Sequence, residues 1–218
     1  MADLKVLKSL NVDHNKLSPG TLSVVASLPK LKNLSASHNL LGRPKVDDET
    51  KEQIVTEALP GTLPKGLKTI LLSHNFLSNI PRSIVEGTNP LKMLEKLDLS
   101  SNNLATVPES IATLTKLSEL NLDDNVIVSL PLAVGKLKQL KVLSLRRNHL
   151  SMGTPQPLPK ELFANTLLID LNLHGNPMTT TQLNTMDGYD VFLSRRREVK
   201  NKDLLGGAIT DLEGCGLE

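Results

Sequence analysis

The stretch "LSELNLDDNVIVSLPLAVGKLKQLKVLSLRRNHL", residues 117–150, says one thing twice. Leucines at 117, 120 and 122 are followed by an asparagine at 125, and leucines at 140, 143 and 145 by an asparagine at 148. Alternation of the L-x-L kind belongs to a strand whose successive side chains point to opposite faces. The phrase L-x-x-L-x-L-x-x-N-x-L, with Ala, Val, Ile or Met tolerated for Leu, recurs along the chain. Its copies are LKSLNVDHNKL (7–17), LKNLSASHNLL (31–41), LKTILLSHNFL (67–77), LEKLDLSSNNL (94–104), LSELNLDDNVI (117–127), LKVLSLRRNHL (140–150) and LIDLNLHGNPM (168–178). The asparagines are spaced by 24, 36, 27, 23, 23 and 28 residues.

Identical strands stacked in order form a parallel sheet at about 4.8 Å per repeat, with the leucines as core. The chain turns after each strand, and the buried backbone groups there need partners. An asparagine amide both donates and accepts, so Asn15, Asn39, Asn75, Asn102, Asn125, Asn148 and Asn176 read as an internal hydrogen-bonded ladder. Between phrases runs a return path, clearest in ATVPESIATLTK (105–116) and VSLPLAVGKLKQ (128–139). Proline lacks an N–H and fixes its φ, so this path is an extended or tight-turn segment rather than a long helix.

These repeats, with an L-P or V-P in the return, resemble the leucine-rich repeat superfamily and specifically its intracellular short-repeat branch. The resemblance covers residues 4–178. It implies an α/β fold: a leucine-rich repeat solenoid, right-handed and curved, with a concave parallel β-sheet of about seven strands and a C-terminal capping helix. The stretch "GNPMTTTQLNTMDGYDVFLSRRREVKNK" resembles the carboxy-terminal end of the leucine-rich repeat-containing protein fifty-seven family, through Gly175, Asn176, Leu183, Gly188, Tyr189, Asp190, Phe192 and Arg195. That resemblance implies a small intracellular protein without catalytic activity.

Composition agrees with a repetitive aliphatic interior. Of 218 residues, 39% are hydrophobic but only 2% aromatic, and tryptophan is absent. A formal charge of +2 gives no global field to gather nucleic acid or anionic lipid. The opening "MADLKVLKSL" lacks an apolar leader and no stretch reaches the roughly 20 apolar residues of a membrane span, which predicts a chain neither secreted nor transmembrane. A single cysteine, Cys215, forms no internal disulfide and fits a reducing compartment, the cytoplasm by default with the nucleus as the alternative. It stands fourth from the end, where a prenylated cysteine would be, but the flanking glycine and terminal glutamate fit that motif poorly.

The longest spacing contains "LGRPKVDDETKEQIVTEALPGTLPKG". Asp47 or Asp48 as a cap, and Ile54, Val55, Ala58 and Leu59 on one face, predict a short helix at 48–58 within an insertion at 42–66. This insertion reads as a tolerated surface excursion or as a partner-binding lip. "VEGTNP" (85–90) and "SMGTPQPLPKEL" (151–162) read as loops on the convex side or rim. The expected domain is 1–202, with a cap at about 179–202 and a disordered tail at 203–218. In the cap, Leu183, Met186, Tyr189 or Val191, Phe192 and Leu193 supply the apolar face that closes the leucine stack, with Tyr189 and Phe192 as its plug, a helix runs over about 188–200, and Arg195, Arg196, Arg197 and Lys200 lie outside.

The third, fifth, seventh and eighth positions of each phrase face solvent and form four columns across the sheet. Two clusters stand out. His14, His38 and His74 occupy the eighth position in succession; three imidazoles suit zinc in principle, but in a line they do not converge, and no metal or other cofactor is expected. The second cluster contains Lys96, Asp98, Glu119, Asp123, Asp124, Arg146 and Arg147, flanked by Asn121 and by the apolar Leu71 and Val142. It reads either as a self-compensating charge ladder, with Asp123 beside Arg146, Asp124 beside Arg147 and Glu119 beside Lys96, or as a patterned surface for a partner.

No phosphate loop, H-E-x-x-H or G-x-S-x-G motif occurs, so no enzyme is expected. The expectation is a monomeric protein-protein interaction scaffold or adaptor that binds a protein partner, not nucleic acid, on its concave face. The alternatives are a regulator of a small GTPase or a phosphatase, or a peripheral membrane tether acting through Arg195, Arg196 and Arg197.

Overall fold

The computed structural model describes residues 2–46, 53–54, 57–86, 91–153 and 156–205. Seven three-residue strands form one parallel sheet: β1 (Ser9–Asn11), β2 (Asn33–Ser35), β5 (Thr69–Leu71), β6 (Lys96–Asp98), β7 (Glu119–Asn121), β8 (Val142–Ser144) and β9 (Asp170–Asn172). They pair in chain order, and the register matches each third position to the next: Ser9, Asn33, Thr69, Lys96, Glu119, Val142 and Asp170. A 36-residue spacing therefore leaves the ladder unbroken; the surplus is extruded.

The core follows from the phrase. In the second copy Leu31, Leu34, Ala36 and Leu41 are fully buried, and the same four positions are buried in the later copies. In the first copy Leu7, Leu10, Val12 and Leu17 are only half-buried, since no earlier repeat covers them. The return path is made of short turns that begin after prolines. 3-10 turns Glu109–Thr113 and Leu132–Lys136 follow Pro108 and Pro131, and α1 (Arg82–Val85) and α2 (Lys160–Asn165) follow Pro81 and Pro159. The expected loop at 151–162 thus ends inside a helix. Packing is tight on this side: a Cβ on Gly135 would lie 2.9 Å from the Glu161 backbone, so the turn and α2 approach to a distance that only glycine allows.

The helix expected at 48–58 is not formed at its described positions. β3 (Lys45–Val46) and β4 (Gln53–Ile54) pair antiparallel, with Lys45 opposite Ile54 and Val46 opposite Gln53. Ile54, Val55 and Thr56 are consecutive β-branched residues, which favour extended backbone over helix. Ala58 and Leu59 do join the core, as their apolar character requires. Asp47 and Asp48 lie outside the described residues.

The carboxy end is closed by α3 (Thr180–Asn184) and α4 (Tyr189–Leu205). Thr179 caps α3 reciprocally with Gln182. α4 runs five residues beyond the expected end at 200 and three into the expected tail; residues 206–218, Cys215 among them, lie outside the described ones. Tyr189 and Phe192 are buried, stacked 5.5 Å apart, and both meet Phe163 of α2, at 5.6 and 6.1 Å. Arg195 is not simply on the wet side of the cap. It is half-buried and its guanidinium donates to the carbonyls of Phe163 (3.0 Å) and Leu168 (2.9 Å), which pins α4 to the last repeat.

Candidate binding face

The asparagines hold the backbone beneath this face. Asn102 Nδ2 donates to the carbonyls of Leu72, Leu99 and Ser100 at 3.0–3.1 Å, while its Oδ1 accepts from the Leu77 N–H at 3.0 Å. Each amide thus ties its own turn to the preceding repeat, and Asn39, Asn75, Asn125 and Asn148 repeat the pattern in buried positions. Among the described residues Asn15 is exposed and bonds only within its own turn, while Asn176, in the seventh copy, is half-buried and still joins Leu145 and Leu150.

At the eighth position the backbone imposes a condition that a purely polar reading of the column misses. His14, His38, His74, Ser101, Asp124 and Arg147 all have φ of 47–55°, and Gly175 has 74°. This left-handed region disfavours L-residues but is several-fold enriched in Asn, Asp and His. The sequence signal was present: the seventh copy carries glycine there. The three histidines stack face to face, with ring centroids 4.2 and 4.0 Å apart and tilts of 13° and 12°. Parallel rings at that spacing do not bring their nitrogens to one point, and no group of three potential ligands with metal-holding geometry occurs among the described residues. His38 is held below the ordinary histidine value of 6.5, first by burial of its ring faces between its neighbours, then by the charges of His74 and His14, with Asp13 opposing.

The fifth and seventh positions form a second device. Where the fifth residue is Asn or Asp, its side-chain oxygen accepts the N–H two residues on: Asn11 from Asp13 (2.8 Å), Asp98 from Ser100 (2.9 Å), Asn121 from Asp123 (3.0 Å) and Asn172 from His174 (3.2 Å). Where it is serine, an aspartate of the preceding repeat does this instead. Asp13 accepts from Ser37 N–H (2.6 Å) and Ser35 Oγ (2.7 Å), and Asp123 from Arg146 N–H (2.7 Å) and Ser144 Oγ (2.6 Å). Asp123 therefore meets the backbone of Arg146; no side-chain ion pair joins them among the described residues. Asp98, Asn121 and Asp123 are engaged in closing turns.

The remaining charges pair as their positions dictate. Lys96 Nζ lies 2.6 Å from Glu119 Oε2, and the Arg147 guanidinium grips both carboxylate oxygens of Asp124, with Nη2 to Oδ2 at 2.6 Å. That fork holds the Asp124 carboxyl below the usual carboxylate range. Leu71, Val142 and Arg146 remain half-exposed on the sheet without a competing role: two apolar side chains on β5 and β8, and a guanidinium with no ion pair among the described residues. Two open grooves lie elsewhere, one lined by Gly42, Asn79, Arg82 and Glu86 beside the insertion and one by Thr106, Leu132, Gln156 and Glu161.

A parallel ladder with one asparagine per turn and a thin return path has a known counterpart. The leucine rich repeat family model matches residues 65–127 and 93–150. An LRR protein of Leptospira interrogans, a solved structure, superposes with a TM-score of 0.60 at 27% identity, over 82% of this chain and 40% of that one. The fold is a leucine-rich repeat solenoid. Osteomodulin of Mus musculus is 32% identical over 112 residues, 50% of this chain and 22% of the relative, and osteomodulin of Rattus norvegicus 32% over 101 residues, 45% and 20%. The chain thus spans about a fifth of the length of these curated relatives. In leucine-rich repeat terms the four columns are the solvent-facing side of the concave sheet.

Proposed function

We propose that this leucine-rich repeat chain is a non-catalytic adaptor that holds a protein partner against its concave face. The observation that carries the reading is the contrast on β5 to β8: turn-closing and paired polar groups surround Leu71, Val142 and the Arg146 guanidinium, which have no such engagement among the described residues. Two apolar contacts and one cation, set on a backbone tied by buried amides, bind with little reorganisation. As part of the same proposal, the chain acts in the cytoplasm and stands near the intracellular short-repeat proteins that its carboxy end resembles.

Reversal of the free cation tests this. Arg146→Glu, measured by calorimetric titration or by co-purification against a partner captured with the unaltered chain, should weaken binding roughly tenfold or more, the scale for a desolvated interfacial charge. Arg147→Glu also breaks the Asp124 pair and should weaken binding similarly with a small loss of stability. Unchanged affinity in both places the partner elsewhere.

A further inference from the structure

The near-neutral total conceals a separation of charge. Each strand is entered through a turn, and the residues from that turn to the second position of the phrase read KVLK (5–8), KLK (30–32), KGLK (65–68), KMLE (92–95), KLS (116–118) and KQLK (138–141). That is ten lysines against one acid, Glu95, in a chain whose total is +2. The fold stacks them on one lateral rim, because backbone N–H groups at the second position bond in sequence from repeat to repeat: Lys32 to Lys8, Lys68 to Lys32, Glu95 to Lys68, Ser118 to Glu95 and Lys141 to Ser118, at 2.7–2.9 Å. Among the described residues only Lys68 is neutralised there, by Glu95 at 2.6 Å. At about 4.8 Å per strand the six segments form a basic strip roughly 25 Å long.

The strip is not purely polar. Leu4, Val6 and Met93 belong to these turns or to the helical turn before the first of them, Leu167 precedes the seventh copy at the equivalent place, and all are exposed. Val6 is 65% exposed and Met93 45%, against a core in which the repeated leucines are buried. The Arg195 bond to the Leu168 carbonyl sets the amino half of α4 beside the last repeat. Flexible lysines interleaved with exposed aliphatics match a surface that is negative outside and apolar a few ångströms beneath. An anionic bilayer has that arrangement. Single-stranded nucleic acid would instead call for aromatic platforms, which the strip lacks.

We propose that this lysine rim docks the chain edge-on to an anionic lipid bilayer, leaving the concave face open to a protein. The site is distinct from the one in the preceding section, and each can fail without the other. The test is flotation of the full chain with phosphatidylcholine vesicles, with and without about a third phosphatidylserine, at low and raised salt. Binding should need the anionic lipid and weaken with salt. Lys30→Glu with Lys32→Glu and Lys65→Glu should lower it at least tenfold, as the loss of several surface lysines predicts. Val6→Ser with Met93→Ser should lower it severalfold, and Arg146→Glu should leave it unchanged; circular dichroism on each variant reports folding. No flotation, equal flotation on neutral vesicles, or indifference of folded variants to the lysine reversals overturns the proposal. Capture by immobilised polyglutamate without capture by vesicles also overturns it, in favour of an acidic protein on the rim.

Discussion

Asn102 illustrates how much one residue of the phrase carries. Its amide makes four bonds, three as donor and one as acceptor, and joins two repeats. Asn102→Ala leaves the buried Leu77 N–H unpartnered, while the carbonyls of Leu72, Leu99 and Ser100 keep the Asn75 amide, the Asn125 amide and the His74 N–H, so urea unfolding should show a loss of about 1–3 kcal/mol. The exposed Asn15 makes two bonds within its own turn, and Asn15→Ala should cost far less. The ladder was legible because every asparagine holds the same phase relative to its leucines. The turn-closing role of Asp98, Asn121 and Asp123 was not, because the partner of a position-seven N–H depends on whether the fifth residue of its own repeat is Asx or Ser. His38 offers a second check. With its folded value held below 6.5, the unfolded chain binds more protons near and just below that pH, so its contribution to stability is fully present above 6.5 and is lost as pH falls through the window beneath. An NMR titration should place His38 below 6.5, and His74→Asn should move it upward by removing one covering ring and one charge.

At the scale of elements, strands were the easiest to read and the insertion the hardest. A three-residue strand repeated in phase is specified many times over, whereas the segment 48–58 had one apolar face and one acidic cap to argue from, and its β-branched run weighs against helix. The cap shows the intermediate case. Tyr189 and Phe192 stood out in a chain nearly free of aromatics, but Phe163, which meets both, follows directly after the stretch 151–162 read as loop and had no role assigned, and Arg195 looked like one of three equivalent arginines. Tyr189→Ala or Phe192→Ala should cost about 3–5 kcal/mol, the usual range for a buried aromatic. Hydrogen exchange should show the loss concentrated in β8, β9 and α2, because each repeat touches only its neighbours. Uniform loss across all strands, or none, would contradict the assignment of these rings to a terminal plug.

For the whole molecule, the repeat produces three surfaces of different character from one phrase. The sheet face holds Leu71, Val142 and Arg146 among engaged polar groups, one lateral rim gathers lysines, and the return side is made of short turns carrying Leu132 outward. The faces and register were legible from period alone. The choice of free residues on the sheet was not, since it follows from side-chain bonds between repeats. The central claim, that a protein partner lies against the sheet, is tested most directly by site-specific photo-crosslinking. A photoreactive side chain is placed at Leu71, at Val142 or, on the opposite side, at Leu132, and the full chain is illuminated with its co-purified partner. The account predicts crosslinks from positions 71 and 142 and none from 132; crosslinks confined to 132 would contradict it.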